Sequence, residues 1–233
     1  MIKALSSAIL AFSLAFAPAL AAAQDSAPDN SATAAATQKK MRISVDFDQT
    51  KDLEDILYLD LSNGQRVAIR LMPDWAPNAV ERIKTLTRQG FYDGVIFHRV
   101  IDGFMAQTGD PTGTGQGGSE LPDLKAEFNP LPHVRGTVSM ARADDPDSAN
   151  SQFFIMFYPR FALDKRYTNI GRVIDNMAAV DAIHRGEPPS DPTWIVQASI
   201  ASDHKPQKFP PASAPAQASV PASTAAVAAA GDN

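Results

Sequence analysis

Cysteine is absent from all 233 residues, which excludes thiol catalysis, disulfide staples and thiolate metal sites. A chain without thiols suits an oxidising compartment, where a stray cysteine would be a hazard. The four histidines, His98, His133, His184 and His204, show neither H-x-H nor H-E-x-x-H spacing, so no metal is expected. No serine stands in G-x-S-x-G, which leaves hydrolysis by a nucleophile elbow unsupported. Spacing alone does not reveal a carboxylate pair, and no acid stands out. Basic runs are missing too. Lys and Arg are scattered and the formal net charge is −5, so nothing draws nucleic acid or an anionic membrane.

The ends do not read as folded protein. Residues 1–23 carry one positive charge, Lys3, then an apolar run from Ala4 to Leu20 and a string of small residues. That pattern describes a secretory signal peptide, cleaved before Ala22 or Gln24. A single membrane-spanning helix fits less well, because Pro18 interrupts the run and no basic stop-transfer segment follows. The expected location is therefore the periplasm. Residues 24–50 are rich in Ala, Ser, Thr, Gln and Asp and read as a disordered linker. Residues 205–233 are rich in Pro, Ala and Ser and read as a disordered tail, with too little apolar surface to offset ordering. One domain is left, over 51–204.

Within it, short apolar runs recur. Asp55–Leu61 and Arg66–Leu71 read as strands joined by a turn containing Asn63-Gly64. Pro77 opens a helix with Val80, Ile83 and Leu86 on one face, and Gly90 stops it. Further strands are expected at Val95–Ile101, Gly136–Ala141, Gln152–Phe157, Ile170–Ile174 and Trp194–Ile200. A second helix is expected from Met177 to Arg185. Many short strands with two separated helices predict a mainly β fold, a closed antiparallel barrel capped by helices.

Gly113-Thr114-Gly115-Gln116-Gly117-Gly118 satisfies G-x-G-x-x-G. A dinucleotide site also needs a strand before this motif and a helix after it. Neither Gly109-Asp110-Pro111-Thr112 nor Ser119-Glu120-Leu121-Pro122 provides one. The glycines read instead as a loop that lets another backbone come close.

Two blocks carry more information: Phe97-His98-Arg99-Val100-Ile101-Asp102-Gly103-Phe104-Met105-Ala106-Gln107-Thr108-Gly109-Asp110, and Ser139-Met140-Ala141-Arg142-Ala143 continuing to Ser151-Gln152-Phe153-Phe154-Ile155. Both resemble the cyclophilin family of peptidyl-prolyl cis-trans isomerases, and the likeness runs from about Ile56 to Ile200. The resemblance implies an eight-stranded barrel and catalysis of X–Pro rotation without a cofactor. Twisting that bond leaves the proline nitrogen pyramidal, and a positioned arginine suits it because its charge is permanent and its fork rigid. By resemblance, Arg99 has this role and Gln107 orients it. Phe104, Met105, Phe154 and Leu163 match the pocket for the proline ring. The backbone of Arg142 pairs with the substrate chain, and Ala141, Ala143, Gln152 and Gln116 border the neighbouring subsite.

The sequence also departs from the family. The tryptophan that contacts cyclosporin in eukaryotic members falls on Ala162, beside Phe161, so weak cyclosporin binding is expected. The frequent rim histidine falls on Tyr167, and Arg142 replaces an asparagine. The expected partners are proline-containing polypeptides, met by a monomer. Taken alone, Phe104, Met105 and Phe154 would be ordinary core residues. A module that only binds proline segments would use the same pocket, and a passive barrel anchoring a functional tail is a third reading.

Overall fold

The computed structural model describes residues 41–210. The expected signal peptide, the linker up to residue 40 and the tail beyond 210 lie outside them. The elements run β1 (Ile56–Leu61), β2 (Arg66–Leu71), α1 (Pro77–Arg88), β3 (Arg99–Ile101), β4 (Met105–Thr108), β5 (Thr137–Met140), β6 (Phe153–Met156), β7 (Asn169–Asp175), α2 (Met177–Asp181) and β8 (Ile195–Ile200). All eight strands join one antiparallel sheet in the order β3-β4-β6-β5-β7-β2-β1-β8.

The β1–β2 hairpin turns where Asn63-Gly64 predicts. Gly64 adopts φ +80°, and its amide donates to the Leu61 carbonyl at 2.9 Å. Only glycine takes that backbone conformation cheaply. Across the hairpin, Arg66 donates twice to the buried Asp60 carboxylate, at 2.6 and 3.0 Å.

Helix α1 starts with Pro77 at its first turn but has no local side-chain cap. Glu127 supplies one from a distant loop. Its carboxylate accepts from the amides of Asn78 at 3.1 Å and Ala79 at 2.9 Å, satisfying donors that a helix start leaves open. Val80, Ile83 and Leu86 then bury one face of α1, which packs on β8. They join Leu57, Leu59, Val67, Ile69, Phe97, Phe153 and Ile155 in the main core. Each such side chain contributes roughly 1.5–3 kcal/mol on burial.

Four expectations need correction. First, the barrel is a curled sheet rather than a closed ladder. Its edges meet just before β3 and around the start of β8, through the bridge of Ile96 with Trp194 and through hydrogen bonds from Gly94 N–H to the Ile195 carbonyl at 2.7 Å, from Ile195 N–H to the Val95 carbonyl at 2.9 Å and from Phe97 N–H to the Thr193 carbonyl at 2.9 Å. Gly94, at φ +84°, bends the chain there, so only the Arg99–Ile101 end of the expected Val95–Ile101 strand forms a ladder. Second, β4 has no counterpart among the expected strands. Third, α2 ends at Asp181 instead of Arg185, because Gly186 is drawn into a bridge with Val100.

Fourth, residues 41–50 are not a loose linker. The buried Arg70 guanidinium donates to the carbonyls of Asp46, Asp48, Lys51 and Asp52 at 2.7–3.1 Å. Trp75 Nε1 donates to the Arg42 carbonyl. A buried guanidinium must be satisfied, and this one straps the segment to the outside of β2. The start of the expected tail is held as well, since Lys208 N–H donates to Asp60 at 2.7 Å.

Candidate active site

The antiparallel register lines up one row of side chains across four strands. Arg99 on β3 faces Gln107 on β4, Gln107 faces Phe154 on β6, and Phe154 faces Ser139 on β5. Directly opposed residues point to the same side of a sheet. Residues 97–110 and 139–155, far apart in the chain, therefore meet at one place.

They meet around a cavity of about 230 Å³, lined by Arg99, Phe104, Met105, Gln107, Ala141, Arg142, Phe154, Leu163 and Tyr167. Phe154 meets Tyr167 edge-on, with centroids 5.7 Å apart. The Arg160 guanidinium covers Phe104 at 5.0 Å, and that of Arg142 covers Tyr167 at 4.6 Å. The result is a hollow in which Phe104, Met105, Phe154 and Leu163 stand beside the polar side chains of Arg99, Gln107, Arg142 and Tyr167. A second depression, of about 440 Å³, shares Gln107, Ala141 and Arg142 and adds Gln116, Ala143 and Gln152. All twelve residues singled out from the sequence line one or other of these neighbouring hollows.

Several partners differ from expectation. Gln107, expected to orient Arg99, donates from Nε2 to Gln152 Oε1 at 2.8 Å. Gln152 in turn donates to the carbonyls of Gly115 at 3.1 Å and Gly117 at 2.8 Å. Arg99 instead donates from Nε to Glu187 Oε2 at 2.8 Å. Phe161 is 64% exposed and does not line the cavity, so that wall stays open. The Arg142 side chain folds back onto the carbonyls of Ala143, Asp144 and Arg166. Among the described residues its own backbone N–H and C=O take no hydrogen bond. An extended peptide passing there would find one donor and one acceptor open.

The glycine-rich loop has a ligand of its own. The Asp110 carboxylate accepts from Thr112 N–H and Oγ1 at 2.8 and 2.7 Å, from Gly115 N–H at 2.6 Å and from Gly117 N–H at 3.1 Å. Burial alone would push this carboxyl up. The hydrogen bonds from Thr112, Gly117 and Gly115 outweigh burial and hold it below its usual range. Amides that could cradle a phosphate are already occupied. Within this loop Gly117 has no room for a side chain, since a Cβ would lie 2.2 Å from Asp110 Oδ1.

Two residues near the cavity escaped sequence reasoning. Glu187 stands 88 positions from Arg99, and nothing local marks it. His133 is buried behind Phe154, with its ring stacked on the phenyl. Burial pushes the His133 imidazole down, against the opposing pull of Asp164. His98 is also buried and held neutral, chiefly by burial, with neither ring nitrogen hydrogen-bonded.

Comparison with known proteins identifies the family. A model of the cyclophilin type peptidyl-prolyl cis-trans isomerase family matches residues 56–202. A Brucella suis protein named "Probable peptidyl-prolyl cis-trans isomerase" is 46% identical over 192 residues, covering 75% of this chain and 97% of its own. Peptidyl-prolyl cis-trans isomerase B of Bacillus subtilis is 38% identical over 131 residues, covering 56% of this chain and 91% of its own. The crystal structure of a cyclophilin from Hirschia baltica superposes with a TM-score of 0.61 at 30% identity, covering 68% of this chain and 78% of that one. A cyclophilin type isomerase from Cryptosporidium parvum, crystallised in the presence of the dipeptide Ala-Pro, gives 0.58 at 30% identity, with 62% of this chain and 98% of that one covered. Sustained identity from β1 to β8, on the same curled sheet, places the chain in the cyclophilin type peptidyl-prolyl cis-trans isomerase family.

Proposed function

We propose that this isomerase speeds X–Pro rotation in exported polypeptides, acting in the periplasm as a monomer without a cofactor. The observation that carries the reading is the row Arg99–Gln107–Phe154, which sets a permanent cation beside the apolar side chains of the hollow. Phe104, Met105, Phe154 and Leu163 hold the proline ring. The backbone of Arg142 pairs with the chain before or after it, and the second hollow takes a neighbouring side chain.

The chemistry asks for little else. Resonance in the amide sets a barrier of ~18–20 kcal/mol, and uncatalysed exchange takes tens to hundreds of seconds. Reaching roughly 10³ s⁻¹ requires the removal of about 7 kcal/mol, at 1.36 kcal/mol per decade. No bond breaks. A guanidinium N–H aimed at the pyramidal nitrogen is satisfied only in the twisted state, so it lowers the barrier rather than deepening the ground state. With Ala162 where a tryptophan wall stands in eukaryotic members and Phe161 turned to solvent, cyclosporin has little to grip.

The proposal is tested by refolding a protein whose slow phase is set by an X–Pro bond. Adding the mature chain should shorten that phase, and an unchanged phase would count against the proposed role. Sequencing the N-terminus of protein recovered from the periplasmic fraction should find Ala22 or Gln24. An intact Met1 in a cytoplasmic fraction would overturn the location.

A further inference from the structure

We propose that Glu187 is a positioning residue for the isomerase reaction, holding Arg99 Nε so that the outer edge of the guanidinium faces the proline pocket. The inference rests on the reading that Arg99 is the catalytic donor. Arg99 reaches the cavity from a short strand, and its side chain is 42% exposed. A long side chain so exposed samples many rotamers unless something holds it. Its direct cross-strand neighbour, Gln107, is committed to Gln152 at 2.8 Å. Among the described residues, Glu187 Oε2 is the side-chain acceptor that Arg99 Nε reaches, at 2.8 Å.

The backbone fixes where that carboxylate stands. Val100, next to Arg99, donates to the Gly186 carbonyl at 2.7 Å, and Gly186, next to Glu187, donates back to Val100 at 2.9 Å. Each partner of the ion pair is thus one residue from a two-bond clamp. Gly186 sits at φ +145°, and a Cβ there would lie 2.5 Å from Pro189 Cα. The loop therefore folds tightly where it presents the acid. One charge-assisted bond to Nε leaves both Nη groups free for the pocket. The carboxylate offsets part of the positive charge, so the gain is direction. A pyramidal nitrogen accepts along one lone pair, and a misaimed donor loses most of its effect.

An exposed ion pair can also be a surface ornament of little worth, and the test must separate the two. NMR exchange spectroscopy on an Ala-Pro peptide gives turnover and affinity separately for the wild type, Glu187→Ala, Glu187→Gln and Arg99→Ala. Glu187→Ala should slow exchange of bound peptide by about tenfold, with peptide Kd and melting temperature unchanged. Glu187→Gln, which keeps an acceptor at the same reach, should fall between them. The Arg99 Nε–Hε resonance should be sharp in the wild type and exchange-broadened in Glu187→Ala. Unchanged or faster turnover in Glu187→Ala, or a loss of affinity matching the loss of turnover, would overturn the proposal. Full activity in Arg99→Ala would instead sink the reading beneath it.

Discussion

The rings of His133 and Phe154 lie stacked, with centroids 6.4 Å apart and planes inclined by 22°. His133 Nδ1 is 2.9 Å from Asp164 Oδ1, and Nε2 is 2.9 Å from Ser139 Oγ. An acid, an imidazole and a serine in this order suggest acyl transfer. Both Ser139 and His133 are fully buried, however, and no substrate reaches the hydroxyl. The relay is a brace behind the pocket wall. His133→Ala should lower stability by about 1–3 kcal/mol, because Ser139 and Asp164 lose a buried partner. It should also weaken peptide binding as Phe154 loses its backing. Urea unfolding measures the first effect and peptide titration the second.

A second prediction concerns acid. His133 and His98 are both held neutral, chiefly by burial. Asp164 opposes the shift at His133; at His98 Asp110 opposes it and Arg99 adds to it. The unfolded chain, with imidazoles near the ordinary 6.5, then binds more protons than the folded one. Their contribution is complete above that value and is lost as pH falls from it toward the folded values. The slope is up to about 1.4 kcal/mol per pH unit for each imidazole. Thermal unfolding between pH 7.5 and 5 should show the melting temperature falling, and falling less steeply in His133→Phe.

Gly109 gives a third. It adopts φ +91°, and a Cβ would lie 2.5 Å from the Ser151 carbonyl and 2.8 Å from Gln152 Cα. Gly109→Ala must push β4 and β6 apart where Gln107 meets Gln152. Stability should drop by about 1–3 kcal/mol, and turnover should fall with it. A fully active, equally stable variant would mean that the loop is not held as tightly as the geometry implies.

Arg70 separates scaffold from chemistry. Arg70→Met removes the donor that four carbonyls share, freeing residues 46–52 to meet water. Trypsin should then cut after Lys51 much faster, and stability should fall by about 2–4 kcal/mol. Peptide turnover in the folded fraction should stay at the wild-type level.

These positions show what a linear sequence conveys. The Asn63-Gly64 turn and the Pro77 helix start were readable because their causes are local. The candidate site residues come from the resemblance of blocks 97–110 and 139–155 to the cyclophilin family, and the register brings those blocks to one cavity, whereas Gln116, Leu163 and Tyr167 lie outside both blocks. Glu127 was not readable, since it caps α1 from 49 residues away. Glu187 and His133 failed for the same reason. An acid before two prolines and a lone histidine have no pattern until folding sets them beside Arg99 and Phe154. Strand β4 was hidden because Phe104 and Met105 read as pocket residues and Gly103, at φ +65°, breaks the run. The barrel's incomplete closure depends on how the chain bends at Gly94, which no alternation of side chains encodes.

The most direct measurement is NMR exchange on an Ala-Pro peptide with the mature chain and its Arg99→Ala variant, with binding followed in the same samples. Both proteins should bind the peptide, since the apolar side chains of Phe104, Met105, Phe154 and Leu163 are intact in each. The wild type should accelerate exchange, and Arg99→Ala should lose about 10²-fold or more of that rate. Equal exchange by the two proteins at equal occupancy would contradict the placement of the chemistry at Arg99.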